Sequence, residues 1–143
     1  MTDFDQILSG YRQRLEKALT HLRYSAKKVT SLAANPAMLG EDELETWESF
    51  AARHARVVDL FLTKYLRTFV LRNDPGFSGS LRDFANQAEK LGLLDSADDW
   101  MALRELRNVV AHEYSDHDAE AFFTTLRESA ARLLALSDKL GKG

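Results

Sequence analysis

A chain of 143 residues with 45% apolar and 29% charged side chains, 7 Gly, 2 Pro and no Cys has the composition of one folded domain, because domains of ~100–150 residues bury enough surface to sustain their own core. The apolar fraction excludes disorder and Gly/Pro low complexity, and the lack of Cys excludes a disulfide scaffold, a thiolate metal centre and a cysteine nucleophile. With 19 Lys and Arg against 22 Asp and Glu, the net charge of −3 does not supply the broad basic surface of a sequence-independent duplex binder.

The charge is uneven. Phe4 to Asn35 carries Arg12, Arg14, Lys17, Arg23, Lys27 and Lys28 against Asp5 and Glu16, whereas Glu41 to Glu48 holds five acids and no base. A locally basic face and a merely solvated helix surface are both open readings of the first run. No apolar stretch approaches the ~18 residues of a membrane span, and Met1 to Asp5 lacks a basic region leading into a hydrophobic one. The expectation is a soluble cytoplasmic protein with a single domain over residues 1–143, free of repeats and linkers.

Taken in chain order, Phe4, Ile7, Leu8, Tyr11, Leu15, Leu19, Leu22, Val29 and Leu32 recur at helical spacing and predict a long first helix, punctuated by Asn35-Pro36. Beyond a polar turn at Gly40, the positions Leu44, Trp47, Ala51, His54, Val58, Phe61 and Tyr65 step by three and four, with Val57, Leu62, Leu66 and Phe69 widening the stripe. This second long helix is expected to end before Asn73-Asp74-Pro75-Gly76, a turn sequence. Ser80 with Asp83 resembles a capping box opening a short third helix through Leu81, Phe84, Ala85, Ala88 and Leu91, which stops at Gly92. Ser96 with Asp99 repeats the signal ahead of a fourth helix through Trp100, Leu103, Leu106 and Val110, and a fifth starts near Asp116 to Asp118 and runs through Phe122, Phe123, Leu126, Leu133, Leu134 and Leu140. No segment alternates with period two, so the fold class is all-α, an up-and-down bundle of about five helices.

The segment from Trp100 to Tyr114 carries the chemistry. At about 100° per residue, Trp100, Leu103, Leu106, Val110 and Tyr114 share one face, while Arg104, Asn108 and His112 step along another. Arg107 lies about 140° around an ideal helix from His112. One continuous helix therefore cannot aim both at a single atom without a bend or a second copy of the chain.

Arg107-Asn108-Val109-Val110-Ala111-His112-Glu113-Tyr114 resembles the Arg, four spacers, His, any residue, Tyr signature of the HEPN domains, and in particular the HepT-like toxins and the related substrate-binding partners of small nucleotidyltransferases. The likeness extends to the lead-in from Trp100, to the chain's size and to the helical layout. It implies a homodimer whose two motifs face each other across a composite cleft, and a metal-independent endoribonuclease that needs no cofactor. His112 would move a proton near neutral pH, with an ordinary pKa of about 6.5. Arg107 would hold the extra negative charge on phosphorus with a planar fork of donors. Asn108 would position the cleft, and Arg104 is a candidate phosphate contact that the family pattern does not require. The resemblance also implies that Tyr114 accepts AMP from a cognate nucleotidyltransferase antitoxin, so that added phosphates compete with RNA for Arg107.

Structural readings stand beside these. Arg107 can bridge to Asp59, Glu105 or Glu113, His112 can serve the C-terminal end of its helix, where an imidazolium is favoured, and Tyr114 can be an aromatic at the core's edge. His54 falls in the apolar stripe of the second helix and reads as a satisfied core histidine. Asp59, flanked by Val57, Val58, Leu60 and Phe61, reads as a buried, partnered carboxylate and a loosely held candidate to support an Arg of the cleft. The cluster of His112, Glu113, Asp116, His117 and Asp118 has metal-ligand residue types without the spacing of a zinc or di-iron site, and no metal is expected. Gly76-Phe77-Ser78-Gly79 reads as a flexible turn, since the chain lacks a phosphate-binding glycine loop.

Overall fold

The computed structural model describes residues 2–106 and 116–140. These residues form no strand and build an all-α bundle of five helical rods. The first is α1, Phe4–Thr30. Asp3 caps it by accepting the Gln6 N–H at 3.0 Å, and Leu8, Leu15, Leu19, Leu22 and Val29 put one apolar stripe into the core. The rod stops short of Leu32, the expected last stripe residue, because Arg127 reaches across to the chain's turn and donates to the carbonyls of Val29 at 3.2 Å and Leu32 at 2.9 Å. A 3₁₀ turn, Pro36–Met38, follows, with the Asn35 side chain accepting the Ala37 N–H at 3.0 Å.

The second rod has three parts: α2, Glu41–Leu60; a π-helical turn, Phe61–Tyr65; and α3, Leu66–Asn73. Glu43 accepts the Gly40 N–H at 3.0 Å, and Glu41, Asp42 and Glu43 crowd the positive end of the helix dipole. Trp47, Phe50, His54, Val57 and Val58 are buried. Trp47 locks three elements at once: it stacks on Phe123 at 4.7 Å and 7°, donates its indole N–H to Ala33 O at 2.8 Å, and carries the Arg127 guanidinium over its ring at 5.3 Å. The expected single second helix is thus interrupted by a wide turn, in which the Leu66 N–H bonds to Phe61 O. Such a turn inserts one residue and re-aims the stripe, so that Phe61, Leu62, Tyr65 and Leu66 are all buried.

The third rod, α4, Leu81–Lys90, carries the reciprocal capping box: Asp83 N–H to Ser80 Oγ at 3.1 Å and Ser80 N–H to Asp83 Oδ2 at 2.9 Å. It ends in a Schellman motif at Gly92, whose φ of +84° favours glycine, with Leu93 N–H bonding to Ala88 O at 2.9 Å and Gly92 N–H to Glu89 O at 3.0 Å. The fourth is α5, Ala97–Leu106. The fifth consists of α6, Asp116–Leu134, and α7, Leu136–Leu140, separated at Ala135. α1 lies along α2 and α3, α6 packs on α1 and α2, and α4 packs on α3 and α5. No described helix is long and apolar enough to cross a membrane.

Candidate functional site

The motif follows α5 directly in sequence, so what fixes α5 sets where the chain enters it. Its N-terminus is tied down by neighbouring elements. Glu89 Oε1 accepts the Ala97 N–H at 2.6 Å and Ser96 Oγ accepts the Asp99 N–H at 3.2 Å. Arg132 of α6 bridges Asp95 at 3.1 Å and Asp99 at 3.0 Å, and Arg82 of α4 pairs with Asp98. Each exposed pair contributes at most about 1 kcal/mol, but together they act on one end of one short helix. Its apolar face is set by Trp100, which meets Phe61 of the π turn at 4.7 Å, and by Leu103. Leu106 packs against the same core.

Arg104 stands off this buried face, half-buried, with its Nε shielded from solvent and lacking a hydrogen-bond acceptor. It is the described member of the predicted site. Arg107, Asn108, His112 and Tyr114 lie outside the described residues, as does Glu113 of the acid and histidine cluster. Asp116, His117 and Asp118 open α6. Among the described residues, no group of three or more His, Asp or Glu is placed to hold a metal ion.

His54 is the satisfied core histidine that its stripe position predicts. It is buried, and its Nε2 lies 2.8 Å from Ser129 Oγ. Ser129 commits its own proton to Leu126 O at 3.1 Å, so the network assigns the remaining proton to His54 Nε2 as donor. Burial lowers its pKa from 6.5 to about 4. At Asp83, which is exposed, the hydrogen bonds from the Ser80 backbone and then from its hydroxyl hold the carboxyl below its ordinary value.

The expected burial of Asp59 is corrected. The side chain is half-buried and partnered, and it borders an outer groove with Ala55, Arg56, Leu60, Thr63 and Lys64. Apolar neighbours in sequence mislead here, because adjacent residues on a helix are ~100° apart: Val57, Val58 and Phe61 turn inward and leave position 59 at the margin.

Three arginines with structural or surface roles escaped the periodicity argument. Arg127 holds the end of α1 as described. Arg53 joins α2 to α1 by donating to Ser25 Oγ at 2.7 Å and to His21 O at 3.2 Å. Arg56 meets Arg14, Lys17 and His21 across the α1–α2 seam. Their partners are far away in the chain, and only the α1 half of that basic groove had a signal, in the run of Lys and Arg.

The chain matches no family model, no curated protein and no solved structure in the comparisons made with each.

Proposed function

We propose that this chain is a HEPN-type endoribonuclease toxin, acting in the cytoplasm as a homodimer and neutralised by a nucleotidyltransferase antitoxin that places AMP on Tyr114. The observation that carries the reading is the Arg107, Asn108, His112, Tyr114 spacing in a chain whose described residues are an all-α bundle. The firm anchorage of α5, and an Arg104 with an unpaired buried Nε one turn before the motif, support it. In the reaction, an RNA 2′-hydroxyl loses its proton and bonds to the adjacent phosphorus, while the 5′-oxygen leaves and takes up a proton. The products are a 2′,3′-cyclic phosphate and a 5′-hydroxyl end. His112 is the group that takes or gives the proton, Arg107 stabilises the charge that builds on the phosphoryl oxygens, and Asn108 orients the cleft. Neither step calls for a metal or a cofactor.

The test is expression and purified activity together. Induction of the wild-type chain arrests growth, and the pure protein cuts RNA in EDTA; His112→Ala abolishes both. An intact RNA pool together with tight binding to a nucleotidyltransferase replaces the reading with a non-catalytic substrate-binding or antitoxin role. If Arg107→Ala lowers stability while there is no activity to lose, the motif is a structural helix end.

A further inference from the structure

The basic run of α1 does not face solvent alone. Arg14, Lys17 and His21 succeed one another at intervals of three and four residues, and Arg56 of α2 meets them around a groove of about 370 Å³ floored by Ala18 and Leu60. A second depression of about 230 Å³ continues the seam with Tyr24, Lys28 and Arg53. Arg72, Arg82 and Arg132 are held in ion pairs, whereas no ion pair between described residues involves Arg14, Lys17 or Arg56. Cations gathered around one groove, with Asp59 at its margin beside Arg56 and Lys64, create a local positive field in a protein whose net charge is −3. A groove focuses that field.

Its shape and ends say what complements it. From Arg14 to Tyr24 the seam runs about 15 Å along α1, which suits an anion with charges spaced along its length rather than a single phosphate. At one end Asp42 and Glu45 line the depression and terminate the positive run; at the other, Asp59 stands beside Lys64. Tyr24 is 58% exposed, with the Lys28 ammonium 4.7 Å from its ring centroid. An exposed ring beside a row of cations suits a chain of phosphodiesters carrying bases, because a base stacks on the ring while the lysine turns to a phosphate. An acidic polypeptide offers a stackable ring only where an aromatic residue falls, whereas a single strand offers a base with every phosphate, and a duplex would bring its wide charge against the acidic remainder of the molecule.

We infer that the α1–α2 seam is a binding track for single-stranded nucleic acid, holding phosphates through Arg14, Lys17 and Arg56 and stacking a base on Tyr24. None of these residues belongs to the motif, and the assignment does not depend on the ribonuclease reading.

The probe is a fluorescein-labelled oligothymidylate of about fifteen nucleotides, which has no 2′-hydroxyl and cannot be cut, titrated with the full chain by fluorescence anisotropy at increasing salt. Three phosphate contacts give a slope of log affinity on log salt of about −2. The triple variant Arg14→Gln/Lys17→Gln/Arg56→Gln binds at least about tenfold more weakly, and Arg14→Gln or Arg56→Gln alone flattens the slope by about 0.7. Tyr24→Ala weakens binding about tenfold at unchanged slope. All four side chains are exposed, and circular dichroism checks that each variant is folded. The wild type and the triple variant are also assayed for RNA cleavage: a wild-type chain that cuts no RNA but binds oligothymidylate through these residues keeps the track and removes only the ribonuclease reading. No binding at low salt, or an unchanged triple variant, would falsify the assignment. So would polyglutamate competing as well as oligothymidylate at equal charge, which would give the groove to an acidic polypeptide.

Discussion

His54 sits in a helix stripe between Phe50 and Val58, and it can remain there only as the neutral imidazole. The Ser129 hydroxyl receives its proton and no carboxylate shares its surroundings among the described contacts, so burial is opposed by nothing and the pKa falls to about 4. The folded value therefore lies below the unfolded one. Between the two, the unfolded chain takes up a proton that the native state refuses, so stability is complete above about pH 6.5 and declines as pH falls toward 4. The full effect is about 3 kcal/mol. His54→Gln keeps a donor for Ser129 but cannot titrate. Urea unfolding at pH 7 and pH 4.5 is expected to show the wild type losing about 2 kcal/mol more than the variant on acidification. Equal losses would mean that the imidazole is already charged in the fold. Asp83 acts in the same direction by another route, since its lowered pKa stabilises the fold above its titration range and that stability is lost in acid; it is present in both proteins and cancels from the comparison.

At the scale of elements, the π turn decides how the second rod meets the fourth. Thr63 back-bonds from Oγ1 to Asp59 O at 2.6 Å inside it, and the inserted residue brings Phe61 against Trp100 while still burying Leu66 and Val70. Deleting Thr63 restores regular α-helical pairing but rotates everything after it by ~100°. Either Phe61 or the α3 stripe must then leave the core, where each large apolar side chain contributes roughly 1.5–3 kcal/mol. The deletion is expected to lower the urea midpoint steeply or to prevent cooperative unfolding, whereas Thr63→Ala, which removes only the hydroxyl, changes stability by less than about 1 kcal/mol. A deletion as stable as the parent would show that the wide turn is incidental. Helix starts and stops were largely legible beforehand. Ser80 with Asp83 and Gly92 act through bonds closed within five residues, so the local sequence contains both partners. The π turn was not legible, because its apolar residues fit both a continuous helix and a bulged one, and packing against Trp100 chooses between them.

At the scale of the whole molecule, we assign the proposed active site to two chains. Arg107 and His112 point in directions about 140° apart on an ideal helix, and a two-fold axis is the simplest device that brings one residue of each kind together. If each cleft takes its arginine from one subunit and its histidine from the other, mixed dimers of Arg107→Ala and His112→Ala chains keep one intact cleft of two. Co-refolding the two inactive variants is therefore expected to restore roughly a quarter of wild-type RNA cleavage, allowing for the inactive parental dimers. No recovery, with mixed dimers verified by mass spectrometry, would place both groups in the same subunit.

The amino-acid sequence determined by itself the all-α class, the apolar stripes, most helix ends and the residue types of the motif, since periodic burial and capping depend on neighbours within a turn or two. The fate of isolated polar groups was decided by tertiary structure. Arg53 finds Ser25 across 28 residues and Arg127 finds Val29 across 98, Asp59 comes to the margin of its helix, and Arg56 completes a basic groove begun on α1. Such meetings are invisible to a local pattern because they exist only once two helices have packed, and it is the packing of large apolar surfaces, indifferent to these groups, that sets where each one ends up.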